Sequence, residues 1–162
     1  MKTLIIYCSQ HKSNTEKIAN VFKEKCGCNL INVKKYRNIN LEDYDLIGFG
    51  SGVYVENVSP KLFRLIEKLD LKNKNVFVFS TSGVGMKFYN NKLIKALESK
   101  GAINKGSFSC RGSYDAEKFT KNKIFKAMSI IPKGHPNNSD LKKAEKFFLK
   151  MISSNKYANN IR

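Results

Sequence analysis

The chain contains no tryptophan, only three prolines and two histidines, and 13 acidic side chains against 30 lysines and arginines. Each shortage narrows the reading. Without tryptophan, the large aromatic surfaces of the chain are those of 7 tyrosines and 11 phenylalanines. With so little proline, and no repeat, low-complexity tract or Pro/Ser linker, the 162 residues read as a single domain, 1–162. A domain of that length buries roughly 68–70% of its unfolded surface and holds a real core. No apolar run approaches the roughly 18–20 residues of a membrane span. The start, Met1-Lys2 and then apolar residues 3–8, turns polar at Ser9, too early for a signal peptide. Cys8, Cys26, Cys28 and Cys110 are therefore expected as reduced thiols in a cytoplasmic protein.

The acid shortage leaves a formal charge of +17. It is uneven: residues 1–81 carry 13 basic and 8 acidic side chains (+5), residues 82–162 carry 17 and 5 (+12). Such a surface attracts polyanions, acidic proteins or anionic membranes. A bias toward solvated lysines explains it equally well. Hydrophobic residues at 41% and charged residues at 27% give an ordinary globular balance.

What is present is alternation. Residues 3–8 form a continuous apolar run, the mark of a strand buried on both faces. Residues 14–26 follow at helical spacing, closed by Gly27. Further strands are expected at 29–33, 45–50, 75–80 and 106–111, and helices at 60–69, 91–100 and 140–153. Strands alternating with helices predict an α/β fold, a doubly wound five-stranded parallel sheet with helices on both faces. Residues 112–136 are long for a loop, and Phe119, Ile124, Phe125 and Met128 suggest a short helix within it.

In such a sheet, ligands bind beyond the carboxyl ends of the strands. After the first strand come Ser9, Gln10, His11, Lys12, Ser13, Asn14 and Thr15, then a helix. Hydroxyls and free N–H groups at a helix N-terminus suit a phosphate. Helix capping alone explains one or two polar residues, not seven in a row. After the third strand come Ser51, Gly52, Val53 and Tyr54; after the fourth, Thr81, Ser82 and Gly83; after the fifth, Gly112 and Tyr114. Backbone donors along an edge and an aromatic plane against a face suit a flat, polar-edged ring carrying a phosphate.

These stretches resemble the flavodoxin family, over nearly the whole chain. The resemblance is carried by IIYCS at 5–9 with SNTEKIA at 13–19, DLIGFGSGVY at 45–54, FVFSTSG at 77–83 and KGHPN at 133–137. It implies strand order 2-1-3-4-5 and FMN at the junction of the first and third strands; that placement comes from the family, not from the spacing. Carried over by position, Ser9, Ser13, Asn14 and Thr15 would hold the FMN phosphate. Ser51, Gly52 and Tyr54 would form the first loop over the ring, and Thr81, Ser82 and Gly83 would meet its polar edge. Two departures stand out. The phosphate loop is one residue longer than Ser/Thr-x-x-Gly-x-Thr, with Ser13 where Gly is usual, and ring stacking falls to Tyr54 and to Phe88, Tyr89 or Tyr114.

Other motifs weigh less. Gly48-x-Gly50-x-Gly52 mimics a dinucleotide fingerprint, but no helix begins until Pro60. A metal site from Cys8, His11, Cys26 and Cys28 matches no zinc spacing, and none is expected. Residues 118–126 interleave lysine and aromatics as single-strand binders do, but a helix with its aromatics turned inward fits better, so no nucleic acid is expected. Cys110 and His135 could pair as nucleophile and base, but a thiol ending an inner strand is more often core. The resemblance implies a monomeric electron carrier shuttling between redox enzymes, here with an acidic redox protein as partner. The alternative is an FMN-dependent oxidoreductase acting on a quinone or a protoporphyrinogen-like molecule, and a third reading is a flavin-free binding module.

Overall fold

Thr3–Cys8 (β1) is buried at every position because it lies inside the sheet with a neighbour on each side. The structure, a computed structural model, describes residues 1–10, 12–35, 39–54, 57–114 and 132–159. β1 pairs in parallel with Asn29–Asn32 (β2) on one side and with Leu46–Tyr54 (β3) on the other. Asn57–Val58 (β4) folds back antiparallel onto the end of β3. Asn75–Ser82 (β5) pairs in parallel with β3, and Ile103–Arg111 (β6) with β5. The order is β2-β1-β3-β5-β6, with β4 attached to β3. This is the expected 2-1-3-4-5 arrangement with one short strand added, and the order reverses between β1 and β3.

The period-two alternation of the strands explains why helices cover both faces. Leu4 and Ile6 of β1, with Val76 and Val78 of β5, face Pro60–Lys68 (α2) and Asn91–Glu98 (α3), which insert Leu62, Ile66, Leu93 and Leu97. Ile5, Tyr7, Phe77 and Phe79 face the other way, toward Asn14–Cys26 (α1) and Asn138–Asn159 (α4), which contribute Ile18, Phe22, Ala144 and Phe148. The α1 crossover carries the chain from the carboxyl end of β1 to the start of β2. Cys8 and Cys28 therefore lie at opposite ends of the sheet, about 20 Å apart for a six-residue strand, which separates the members of the imagined metal site.

Several boundaries differ from expectation: β5 runs to Ser82 and α4 to Asn159, β2, α2 and α3 end one or two residues early, and three further differences have a visible cause. β3 runs on to Tyr54 rather than stopping at Gly50, because the hairpin is held from inside: Ser51 Oγ donates to Gly52 O and accepts from Ser59 N. β6 begins at Ile103; its first half is a partly exposed edge, so it lacks the apolar signal of an inner strand. α4 begins at Asn138, capped by Asn137, whose Oδ1 accepts from Ser139 N and Asp140 N. The short helix expected within 112–136 and the lysine–aromatic stretch 118–126 lie outside the described residues.

Gly48 and Gly50 belong to the core rather than to a nucleotide loop. They stand opposite Phe77 and Phe79 across the β3–β5 ladder. A Cβ on Gly48 would come within 2.4 Å of the Phe77 ring, and one on Gly50 within 2.1 Å of the Phe79 ring. Gly50→Ala should therefore lower the unfolding free energy by roughly 1–3 kcal/mol through overpacking, read by urea denaturation. An unchanged midpoint would show that the rings yield freely.

Candidate functional site

The topology brings the ends of β1, β3, β5 and β6 to one edge of the sheet. At the end of β1, Lys12 and Ser13 take positive φ values of 49° and 52°, and α1 starts directly after them. Ser13 occupies the N-cap position without making a side-chain capping bond, so its hydroxyl does not occupy the first N–H groups of the helix. Below the turn, Tyr7 Oη donates to Glu16 Oε1 at 2.7 Å, tying the first turn of α1 to β1. Burial, then the Glu16 carboxylate, pushes the Tyr7 phenol up to about 12, so it stays a proton donor.

Contacts then run from strand end to strand end. Thr15 and Thr81 share a buried hydrogen bond of 2.9 Å between their hydroxyls, joining α1 to β5. Asn14 Nδ2 donates to Ser113 O at 2.6 Å, joining α1 to the turn after β6. Gly112 N donates to Ser82 O, and Ser82 Oγ accepts from Gly85 N. The Tyr114 ring lies against Gly83, close enough that a Cβ there would sit 2.7 Å from Cε1. Gly112 is equally constrained: its Cβ would lie 2.9 Å from Asn14 Nδ2.

The expected site residues thus divide. Ser9, Ser13, Asn14, Thr15, Thr81, Ser82, Gly83, Gly112 and Tyr114 share one edge, with Gln10 and Lys12 exposed in the same turn. His11 lies outside the described residues. Ser51 is buried, its hydroxyl engaged by the hairpin, so at that position main chain rather than side chain can face a ligand. Gly52 pairs with Thr81, and Val53 and Tyr54 lie in the hairpin that β4 completes. Sequence reasoning missed Ser113 as the partner of Asn14, and Ser59, whose Oγ accepts from Cys8 Sγ at 3.3 Å. It placed His135 as a possible base; the structure instead pairs its Nδ1 with Asp140 Oδ2.

The thiols carry little catalytic promise. Burial, then the Asp140 charge, pushes Cys110 up to about 12, so it is neutral at physiological pH. Cys26 is drawn down to about 7 by a hydrogen bond from Cys28, which is pushed up in turn. Alkylation of the folded protein at pH 8 should therefore modify Cys26 first, with Cys8 and Cys110 reacting only on unfolding, as read by peptide mass analysis. Early labelling of Cys110 would contradict its burial.

Among the described residues, two buried polar atoms at this edge, Ser9 Oγ and Asn14 Oδ1, have no hydrogen-bond partner. A buried polar atom without a partner is costly; Thr3 Oγ1, Ser80 Oγ and Asn90 Oδ1 are in the same position, and Ser9 Oγ and Asn14 Oδ1 are the two that lie in and beside the turn after β1. Ser9 Oγ can donate to an anionic oxygen, whereas Asn14 Oδ1 can only accept, as from a hydroxyl. A phosphate ester on a polyol chain provides both.

A sheet with this strand order belongs to the doubly wound α/β class, whose ligands bind beyond the carboxyl ends of the strands at the switch point, where the hydroxyl-lined turn lies. The chain matches the family model of the flavodoxin domain over residues 4–159, and it belongs to the flavodoxin family. An uncharacterized protein of Methanocaldococcus jannaschii is 42% identical over 83 residues, 51% of this chain; the match spans 55% of that relative's length. Among solved structures, a flavodoxin from the domain Archaea superposes with a TM-score of 0.68 at 12% identity, covering 96% of this chain and 99% of its own. Flavodoxin 1 from Bacillus cereus, in its oxidised form, gives 0.59 at 18% identity, covering 94% and 98%. Membership implies a flavin cofactor, and the donor set at the end of β1 fits one. No helix among the described residues is long and apolar enough to cross a membrane.

Proposed function

We propose that this chain is an FMN-binding electron carrier that passes electrons between redox proteins, acting as a cytoplasmic monomer. The observation that carries the reading is the pair of buried, unpartnered atoms, Ser9 Oγ and Asn14 Oδ1, beside an N-terminus of α1 left free by its own cap. Uncapped N–H groups and the positive end of the helix dipole favour a phosphate. Hydroxyls gathered at one helix N-terminus suit a single monophosphate, which favours FMN.

When bound, FMN supplies the redox chemistry. The residues of the chain hold and shield it. Ser9, Ser13 and Thr15 would hold the phosphate, Asn14 Oδ1 would accept from a hydroxyl of the ribityl chain, and the main chain at 81–83 and at Gly52 would face the ring. Tyr114, fixed on Gly83, offers an aromatic surface at the same edge of the sheet.

The turn after β5 supports protein docking. It exposes Val84, Met86 and Phe88 at 42%, 50% and 55%. The turn is held by Gly85, which donates to Ser82 Oγ and accepts from Ser109 Oγ, so the apolar tip is presented rather than loose. Exposed Lys87 and Arg111 adjoin it, a setting for a partner with an apolar patch and an acidic rim. Electron-transfer rates with an acidic redox protein should fall steeply with salt, as the Debye length shrinks from ~30 Å at 0.01 M to ~10 Å at 0.1 M. A rate indifferent to ionic strength contradicts the docking reading, and saturable turnover of a free quinone would favour the enzyme reading. An absorbance spectrum of the purified protein, with mass analysis of any released chromophore, tests the cofactor directly.

A further inference from the structure

Asp140 is a buried carboxylate in the most basic half of the chain, and its partners lead into the cofactor edge. Its Oδ2 accepts from Asn137 N at 3.0 Å, completing a reciprocal cap at the start of α4. The same oxygen meets His135 Nδ1 at 2.5 Å, with the two side chains 10% and 20% exposed. His135 is thus fastened to the helix end by its ring. Its carbonyl accepts from Ser113 N at 2.8 Å. The Ser113 carbonyl in turn accepts from Asn14 Nδ2 at 2.6 Å, the bond that leaves Asn14 Oδ1 without a partner among the described residues. Each link is a hydrogen bond between groups that are at least partly buried, so the ring of His135 and the amide of Asn14 share one chain of contacts.

We propose that His135, held by Asp140, is a positioning residue for the cofactor site: it fixes Ser113 and thereby aims the Asn14 amide oxygen into the space beyond β1. This rests on the reading that the site takes FMN. The H-P-N-x-x-D spacing at 135–140 then has a role that core packing does not require. It sets the cap that closes α4 and the clamp that orients a residue more than 120 positions earlier. Removing the His135 ring leaves the reciprocal Asn137–Asp140 cap and the His135 carbonyl in place but unties residue 135 from Asp140, so the helix persists while the clamp on Ser113 loosens.

The test is a double-mutant cycle on FMN affinity with His135→Ala and Asn14→Ala, together with His135→Asn, whose amide can replace the Nδ1 donor. His135→Ala should weaken FMN about tenfold, the loss expected for one well-made hydrogen bond. It should add little in the Asn14→Ala background, and His135→Asn should recover most of the loss. Additive losses in the cycle would mark a merely structural role and overturn the proposal, as would wild-type affinity in His135→Ala. The Asn14 side-chain amide resonances give a readout that needs no flavin. They should shift in His135→Ala and return in His135→Asn; unchanged resonances overturn the clamp. A wild-type protein that binds no FMN while these resonances shift as expected overturns the FMN reading and leaves the clamp standing.

Discussion

Phe22→Ala should lower the unfolding free energy by about 3–5 kcal/mol, a large fraction of the ~5–15 kcal/mol that holds a domain of this kind. Phe22 is wholly buried on α1, where three elements meet. Its ring packs edge-on against Phe77 and Phe79 of β5, at 5.6 and 5.1 Å between centroids, and stacks on Phe148 of α4 at 4.9 Å. The cavity cannot close easily, because Phe77 and Phe79 are themselves fixed over Gly48 and Gly50. Chemical denaturation reads the loss. A change below about 1 kcal/mol would mean that the cluster repacks and that α1 is held mainly by its polar end.

The second large effect is expected at Gly112. A Cβ there would lie 2.9 Å from Asn14 Nδ2 and 3.1 Å from Asn14 Cβ and Cγ. Asn14 is buried and already bonded to Ser113 O, so it cannot step aside without breaking that bond. The Gly112 N–H also holds Ser82 O, which limits movement of the other side. Gly112→Ala should therefore weaken FMN roughly 10–100-fold, an effect of about 1.4–2.7 kcal/mol, with little change in overall fold. Truncating the obstructed side chain by Asn14→Ala, which removes Nδ2 and Cγ, should remove most of the extra penalty of Gly112→Ala. If Gly112→Ala costs as much in that background, the clash is not the cause.

Much of this architecture is legible in the sequence because it rests on local pattern. Residues 3–8 are apolar without interruption, and both faces of β1 are covered. The polar run at 9–15 interrupts that pattern just where a helix begins, which marks this edge of the sheet in the sequence as a candidate site. What could not be read depends on register. Gly48 and Gly50 look like a fingerprint until the ladder sets them opposite Phe77 and Phe79. Ser51 looks like a loop hydroxyl until β3 carries it inside and Ser59 takes it up. β4 has only two residues, too few for any periodicity. The bond from Asn14 to Ser113 spans 99 positions, a pairing no spacing rule reaches. Its only trace in the sequence is Gly112, a glycine beside a residue that needs room.

The central claim is that the end of β1 and the start of α1 hold the phosphate of FMN. Titration of the flavin-free protein with FMN, riboflavin and FAD, followed by quenching of flavin fluorescence, tests it most directly. The account predicts that FMN binds at least about tenfold more tightly than riboflavin, since one charge-assisted hydrogen bond contributes roughly 1.5–3 kcal/mol, and that Ser9→Ala narrows the gap. Equal affinity for FMN and riboflavin, or a gap that Ser9→Ala leaves untouched, would contradict it.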